Sequence, residues 1–180
     1  MNTTHPKLIK EACAYITQHE QIPSLSEVAS YVGLSPSHFH REFSQALGIS
    51  PRSFADAKRQ KRFKKALKNG SDITDALYAA GYGSSSRLYE FTHRYLGMTP
   101  REYQKGGSNQ IITYNVVQTV LGKMLVAATD KGICSVQLGN LSEIKKELKK
   151  EFPKAQLKPS NAQLNTWTQT LVDYLAGKNP

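Results

Sequence analysis

The sequence predicts an α+β chain: an all-helical domain over residues 1–107, then a small mixed domain over residues 108–180. Three observations carry this. Helix-capping signals and glycine stops punctuate the first half, a helix–glycine–helix pattern occurs there twice, and strand-like runs begin only after Lys105-Gly106-Gly107-Ser108-Asn109. That glycine pair with small polar neighbours reads as a hinge.

In the first half, Leu8, Ala12, Tyr15 and Ile16 give an opening helix one apolar stripe. Ser24 and Glu27 have capping-box spacing and open a second helix, which Gly33 stops. Ser35-Pro36 starts a third, with Phe39, Phe43 and Leu47 inward, and Gly48 ends it. Ser50-Pro51 begins a long fourth helix, closed by Asn69-Gly70. Ser71 or Asp72 then caps a helix through Ile73, Ala76 and Leu77 that Gly81 breaks. Ser84-Ser85-Ser86 opens another with Leu88 and Leu96, and Thr99-Pro100 a last short one. Leu47-Gly48-Ile49-Ser50-Pro51 matches Leu96-Gly97-Met98-Thr99-Pro100, and Phe54 falls opposite Tyr103. This internal repeat describes two helix-turn-helix units in tandem.

In the second half, strands are expected over residues 111–119, 124–129 and 133–138, with a hairpin turn at Lys131-Gly132. Residues 142–152 read as an amphipathic helix with Ile144 and Leu148 inward. Leu164, Trp167, Leu171 and Leu175 mark another, with Trp167 expected in the core.

The formal net charge is +10 over 180 residues, an excess suited to a polyanion such as nucleic acid, although charge alone also serves solubility. All arginines precede the glycine pair, and the second half is basic through lysine only. Arginine makes bidentate contacts with phosphate and guanine, so the nucleic-acid face is expected in the first half. No apolar run approaches the roughly 20 residues of a membrane span, and the first ten residues lack a signal-peptide core; the expected location is the cytoplasm, at the nucleoid. Cys13 and Cys134 supply too few thiolates for zinc, so no metal and no cofactor are expected.

A helix-turn-helix places the early turns of its second helix in the major groove. In the first unit the exposed early positions are Ser37, His38, His40 and Arg41; in the second they are Ser85, Ser86, Arg87, Tyr89 and Glu90. Hydroxyls bond several bases, arginine prefers guanine, and glutamate accepts from the cytosine amino group. His38 has a rival role, packing or capping locally. Ser35, Arg52, Arg59, Arg62, Ser84 and Arg101 are candidates for phosphate contact. The fourth helix carries Lys58, Arg59, Lys61, Arg62, Lys64, Lys65 and Lys68, a density that forces some onto plain solvated surface. Those beside DNA would steepen the salt dependence of binding.

The stretch from Ala29-Ser30-Tyr31-Val32-Gly33-Leu34-Ser35-Pro36 to Phe39 resembles the first helix-turn-helix of the AraC-type transcription regulators. Ala79-Ala80-Gly81-Tyr82, followed by Leu96-Gly97-Met98-Thr99-Pro100-Arg101-Glu102-Tyr103, is similar to their second. The resemblance covers roughly residues 5–106. It implies seven helices, the fourth linking two reading units, and it places the base-facing positions at the residues above. Thr92 stands where an aromatic is usual and Glu90 where arginine is common, so the target sequence does not carry over.

Leu121-Gly122-Lys123-Met124-Leu125-Val126-Ala127-Ala128-Thr129, Lys131-Gly132-Ile133-Cys134 and Phe152-Pro153-Lys154-Ala155 resemble the ribonuclease-like N-terminal subdomain of the methylated-DNA–protein-cysteine methyltransferases. The order of the two modules resembles that of the bifunctional Ada-type regulators. In the methyltransferases the acceptor cysteine lies in a Pro-Cys-His-Arg motif of a later domain. That motif is absent here, and the chain stops about where the domain would begin. Cys134 sits among apolar neighbours with no adjacent base or cation, and Cys13 is no better placed, so no catalytic residue and no alkyl transfer are expected.

Three readings follow: a transcription regulator with a structural module from a repair protein, a portion of a DNA methyltransferase, or a regulator whose residues 110–180 sense a ligand or protein. The expected partners are double-stranded DNA at two adjacent major-groove segments and, for a regulator of this kind, RNA polymerase. No membrane is expected.

Overall fold

A computed structural model describes residues 6–19, 21–82 and 95–178. Its helices are α1 (Pro6–Gln18), α2 (Leu25–Tyr31), α3 (Pro36–Leu47), α4 (Pro51–Lys68), α5 (Ile73–Ala79), α6 (Pro100–Gln104), α7 (Leu141–Glu151) and α8 (Ala162–Leu175). The strands are β1 (Ile111–Thr119), β2 (Gly122–Thr129), β3 (Gly132–Leu138) and β4 (Gln156–Pro159). The chain is an α+β mixture, as the sequence predicts.

Two compact units emerge, one from residues 1–66 and 74–83, the other from residues 67–73 and 84–180. Residues 67–73 and 95–107 therefore pack in the strand-bearing unit, although the sequence reads them with the helical half.

In the first unit the caps act as expected. The Ser24 hydroxyl accepts from the Glu27 amide while the Glu27 carboxylate accepts from the Ser24 amide. Those bonds hold the Glu27 carboxyl below its ordinary value. Ser35 caps α3 by accepting from the His38 amide at 3.3 Å, with Pro36 at the first helical position. Between α2 and α3, Gly33 takes φ of +71°, a left-handed turn that a side chain would strain. Ile9, Ala12, Ile16, Val28, Ala29, Val32, Phe39, Phe43 and Ala55 form one buried core, and Cys13 and Phe54 pack on its edge.

In the second unit the sheet order is β3-β2-β1-β4. β1–β2 and β2–β3 are antiparallel, with an irregularity at Ala127/Ala128, and β1–β4 is parallel. β4 is a strand that the sequence reading does not contain; it is four residues long, ends in proline and draws its pairing from β1. Alternation along β2 sends Met124, Val126 and Ala128 to one face, where Leu164, Trp167 and Leu171 of α8 cover them. Trp167 is half-buried against that core, as expected. Ile144, Leu148 and Phe152, along and just after α7, are buried as well.

The glycine pair is not a free hinge. A Cβ on Gly106 would sit 3.0 Å from Pro153, and one on Gly107 2.9 Å from the Ala155 Cβ. The Lys154 amide donates to the Gly106 carbonyl and the Gln156 amide to the Gln110 carbonyl. The segment is a packed turn.

Candidate nucleic-acid interface

α3 presents a two-sided surface. Phe39 and Phe43 are fully buried, their rings edge-on at 5.4 Å, and Phe43 meets Phe54 of α4 at 5.7 Å. This aromatic wedge fixes the rotation of α3, because a ring turned outward would expose well over 100 Å² of apolar surface. Rotation set this way puts Ser37, Arg41 and Gln45 in one exposed row, four residues apart, opposite the rings. His38 and His40 flank that row and are exposed too.

The candidates on α3 do not play equal parts. Glu42 is a buried carboxylate, and its Oε1 lies 3.4 Å from His38 Nε2. His38 is thereby turned along the helix toward a group that needs a partner, which gives substance to its rival local role. Arg41 is exposed and free to reach a groove. Gln45, one turn past Arg41, continues the exposed row and is not among the sequence candidates, although the i, i+4, i+8 spacing from Ser37 points to it.

The phosphate candidates also divide. Arg52 at the start of α4 and Arg101 in α6 are exposed, and the Ser35 hydroxyl already accepts the cap bond. Arg59 is drawn inward: its Nη1 lies 2.6 Å from Asp56 Oδ1, its guanidinium is 5.9 Å from the Tyr82 ring centre, and its Nε is buried without a hydrogen bond. Arg62 donates to the His19 carbonyl. Among the lysines of α4, Lys61, Lys65 and Lys68 are exposed, whereas Lys58 and Lys64 are half-buried. Ser84, Ser85, Ser86, Arg87, Tyr89 and Glu90 lie outside the described residues.

Burial pushes the Cys13 thiol above its ordinary value, with Lys58 only partly opposing, and Cys134 is buried in β3. Among the described residues no three His, Cys, Asp or Glu side chains are placed to hold a metal, and no helix is long and apolar enough to cross a membrane. An open polar recess of about 440 Å³ lies in the second unit, lined by Asn109, Gln110, Ile111, Thr113, Thr129, Asp130, Lys131, Asn161 and Gln163.

Comparison with known proteins places these features. Residues 28–106 match a helix-turn-helix domain family, and residues 112–180 match the ribonuclease-like domain of 6-O-methylguanine DNA methyltransferase. The regulatory protein ada of Salmonella typhimurium is 36% identical over 158 residues, 87% of this chain and 45% of that protein. The bifunctional transcriptional activator/DNA repair enzyme Ada of Escherichia coli is 32% identical over 168 residues, 93% of this chain and 47% of that protein. The chain thus spans just under half the length of these relatives. Among solved structures, an AraC-type DNA-binding transcriptional regulator from Chromobacterium violaceum aligns with TM-score 0.51 and 25% identity, over 60% of this chain and 98% of its own. The C-terminal domain of AraT, a response regulator from Geobacillus stearothermophilus, shares the fold at TM-score 0.51 and 24% identity, over 58% of this chain and 88% of its own. Helix-turn-helix domains of this type imply DNA binding. The chain joins an AraC-type helix-turn-helix domain to a methyltransferase ribonuclease-like domain and is homologous, over most of its length, to the Ada regulatory proteins.

Proposed function

We propose that this chain is a sequence-specific DNA-binding transcription regulator of the Ada/AraC type. Residues 1–107 read two adjacent major-groove segments, and residues 108–180 are a module shared with repair methyltransferases. The observation that carries this reading is the exposed row Ser37, Arg41 and Gln45 on α3, held outward by the buried Phe39–Phe43 wedge. Arg41 is suited to a guanine edge, with Ser37, His40 and Gln45 beside it. By the internal repeat, Ser85, Ser86, Arg87, Tyr89 and Glu90 do the same in the second segment. Ser35, Ser84, Arg52 and Arg101, with the exposed lysines of α4, meet phosphates. A regulator of this kind acts on RNA polymerase at promoters in the cytoplasmic nucleoid, here those of an alkylation-damage response.

Selection from a random-sequence duplex pool tests it. The 180-residue chain should enrich two half-elements about one helical turn apart, on the order of 10 base pairs. Recovery of the input distribution refutes sequence-specific reading.

A second reading is favoured by how the Escherichia coli relative aligns, since the match takes in most of this chain and under half of that protein. The chain is then the regulatory portion of a bifunctional methyltransferase. A Pro-Cys-His-Arg segment encoded downstream in the same gene decides for it.

A further inference from the structure

The two copies of the Leu-Gly-x-[Ser/Thr]-Pro turn are alike in sequence and unlike in surroundings. In the first copy Leu47 and Ile49 are 40% and 37% exposed; in the second Leu96 and Met98 are 1% and 0% exposed. Gly48 is exposed, whereas Gly97 is buried. The β2–β3 hairpin lies on the second copy. A Cβ on Gly97 would overlap the Gly132 carbonyl oxygen and come 3.1 Å from the Cys134 Cβ, and the Thr129 hydroxyl donates to the Gly97 carbonyl. Gly97 also has φ of +60°, so glycine is needed there twice over, for conformation and for clearance.

The contacts continue along α6. The buried Tyr103 donates its hydroxyl to Glu151 Oε1 at 2.8 Å, while Glu151 Oε2 accepts from the Ser135 hydroxyl at 3.0 Å. The Tyr103 ring stands edge-on to Phe152 at 5.7 Å, and Glu102 pairs with Lys131 at 3.2 Å. Behind α6, Gln104 donates to the Ser71 carbonyl at 2.8 Å, and the Lys68 ammonium lies 5.8 Å from the Tyr103 ring centre. A network of this kind, with both oxygens of one carboxylate committed and a buried phenol satisfied, is sensitive to the loss of any member.

We propose that the strand-bearing domain is the mount of the later part of the second reading unit: the β2–β3 hairpin and the end of α7 hold residues 67–73 and 95–107 in place. DNA binding at the second segment then depends on Thr129, Ser135 and Glu151. These are positioning residues, acting through Gly97 and Tyr103. In the first reading unit the equivalent turn is exposed, and the buried core runs from Ile9 to Ala55. The role in DNA binding rests on the function proposed above.

The test uses the full chain with Glu151→Ala, Thr129→Val and Gly97→Ala, the first two guarding against a fold lost outright in the third. Amide hydrogen exchange at residues 67–73 and 95–107 should speed up by about tenfold in Glu151→Ala and Thr129→Val, with β1–β2 unchanged. On the duplex enriched by the wild-type chain, the hydroxyl-radical footprint should shrink from two segments to one, the survivor being the segment lost in Arg41→Ala. Unchanged exchange at residues 95–107 overturns the mount, as does an equal rise throughout β1–β2, which would mark these residues as ordinary supports of the sheet. A footprint that keeps both segments in the variants overturns its role in DNA binding. If the wild-type chain enriches no sequence, the DNA-reading function fails, and exchange alone judges the mount.

Discussion

Replacing Arg41 with alanine separates base reading from every other role this side chain could have. Arg41 is exposed on α3, on the side away from the Phe39–Phe43 wedge, so its removal opens no cavity. A surface change of this kind alters stability by about 0.5 kcal/mol or less, and alanine is itself a strong helix former. The loss on DNA is larger. A bidentate pair with guanine discriminates by about 1–3 kcal/mol, which at roughly 1.4 kcal/mol per tenfold is about 5- to 150-fold in affinity. Fluorescence-anisotropy titrations on the enriched duplex and a scrambled one, each across a salt series, read both quantities. The enriched duplex should lose affinity while the scrambled one changes little, with the thermal midpoint held. An equal loss on both, together with a salt slope shallower by about 0.9, means Arg41 contacts phosphate and refutes the assignment. His38→Ala is the contrasting control: it leaves the buried Glu42 carboxylate without its 3.4 Å partner and should lower stability first, by about 1 kcal/mol.

Three further outcomes follow from the same geometry. Phe43→Ala empties a site packed between Phe39 and Phe54 and should cost about 3–5 kcal/mol in urea denaturation; a cost under about 1 kcal/mol contradicts the wedge. Partial burial opposes ionisation of Glu102, but bonds from Thr99 and Lys131 outweigh it and hold its carboxyl below the ordinary value. Its contribution is therefore complete above the unfolded value of about 4.3 and lost as pH falls through the lower folded value, so the melting curves of wild type and Glu102→Gln should differ at neutral pH and converge in acid. A gap that persists in acid contradicts this. Incubation with alkylated duplex should leave the mass of the 180-residue chain unchanged, since Cys134 is buried and partial burial pushes the Cys13 thiol above its ordinary value; a methyl group found on Cys13 or Cys134 overturns that expectation.

The helical half was legible because its signals are local. Ser24 with Glu27, Ser35-Pro36 and Thr99-Pro100 each satisfy backbone amides within three residues, and all three act as the sequence indicates. The hairpin strands were legible for a similar reason, alternation over short spans around Lys131-Gly132. What escaped depends on distant partners. β4 exists because β1 offers an open edge to residues some 45 positions away. Gly106-Gly107 has the composition of a linker, yet Pro153 and Ala155 pack on it. Arg59 and Arg62 look like spare cations in a basic helix, and only the fold reveals Tyr82 and the His19 carbonyl beside them. The His38–Glu42 pair could have been anticipated from its i, i+4 spacing; the burial of Glu42, which gives the pair its weight, could not.

A repeat in sequence does not make a repeat in mechanics. The first reading unit closes its core with its own helices, from Ile9 to Ala55, and exposes its Leu47-Gly48-Ile49 turn. The second buries the equivalent turn and ties it to β2, β3 and α7. Under thermodynamic linkage, whatever stabilises or loosens the strand-bearing domain must shift the second reading unit by the same free energy that the unit's binding returns to that domain. Under the proposed mount, the half-element read by the second unit is engaged at a strength that follows the state of the strand-bearing domain.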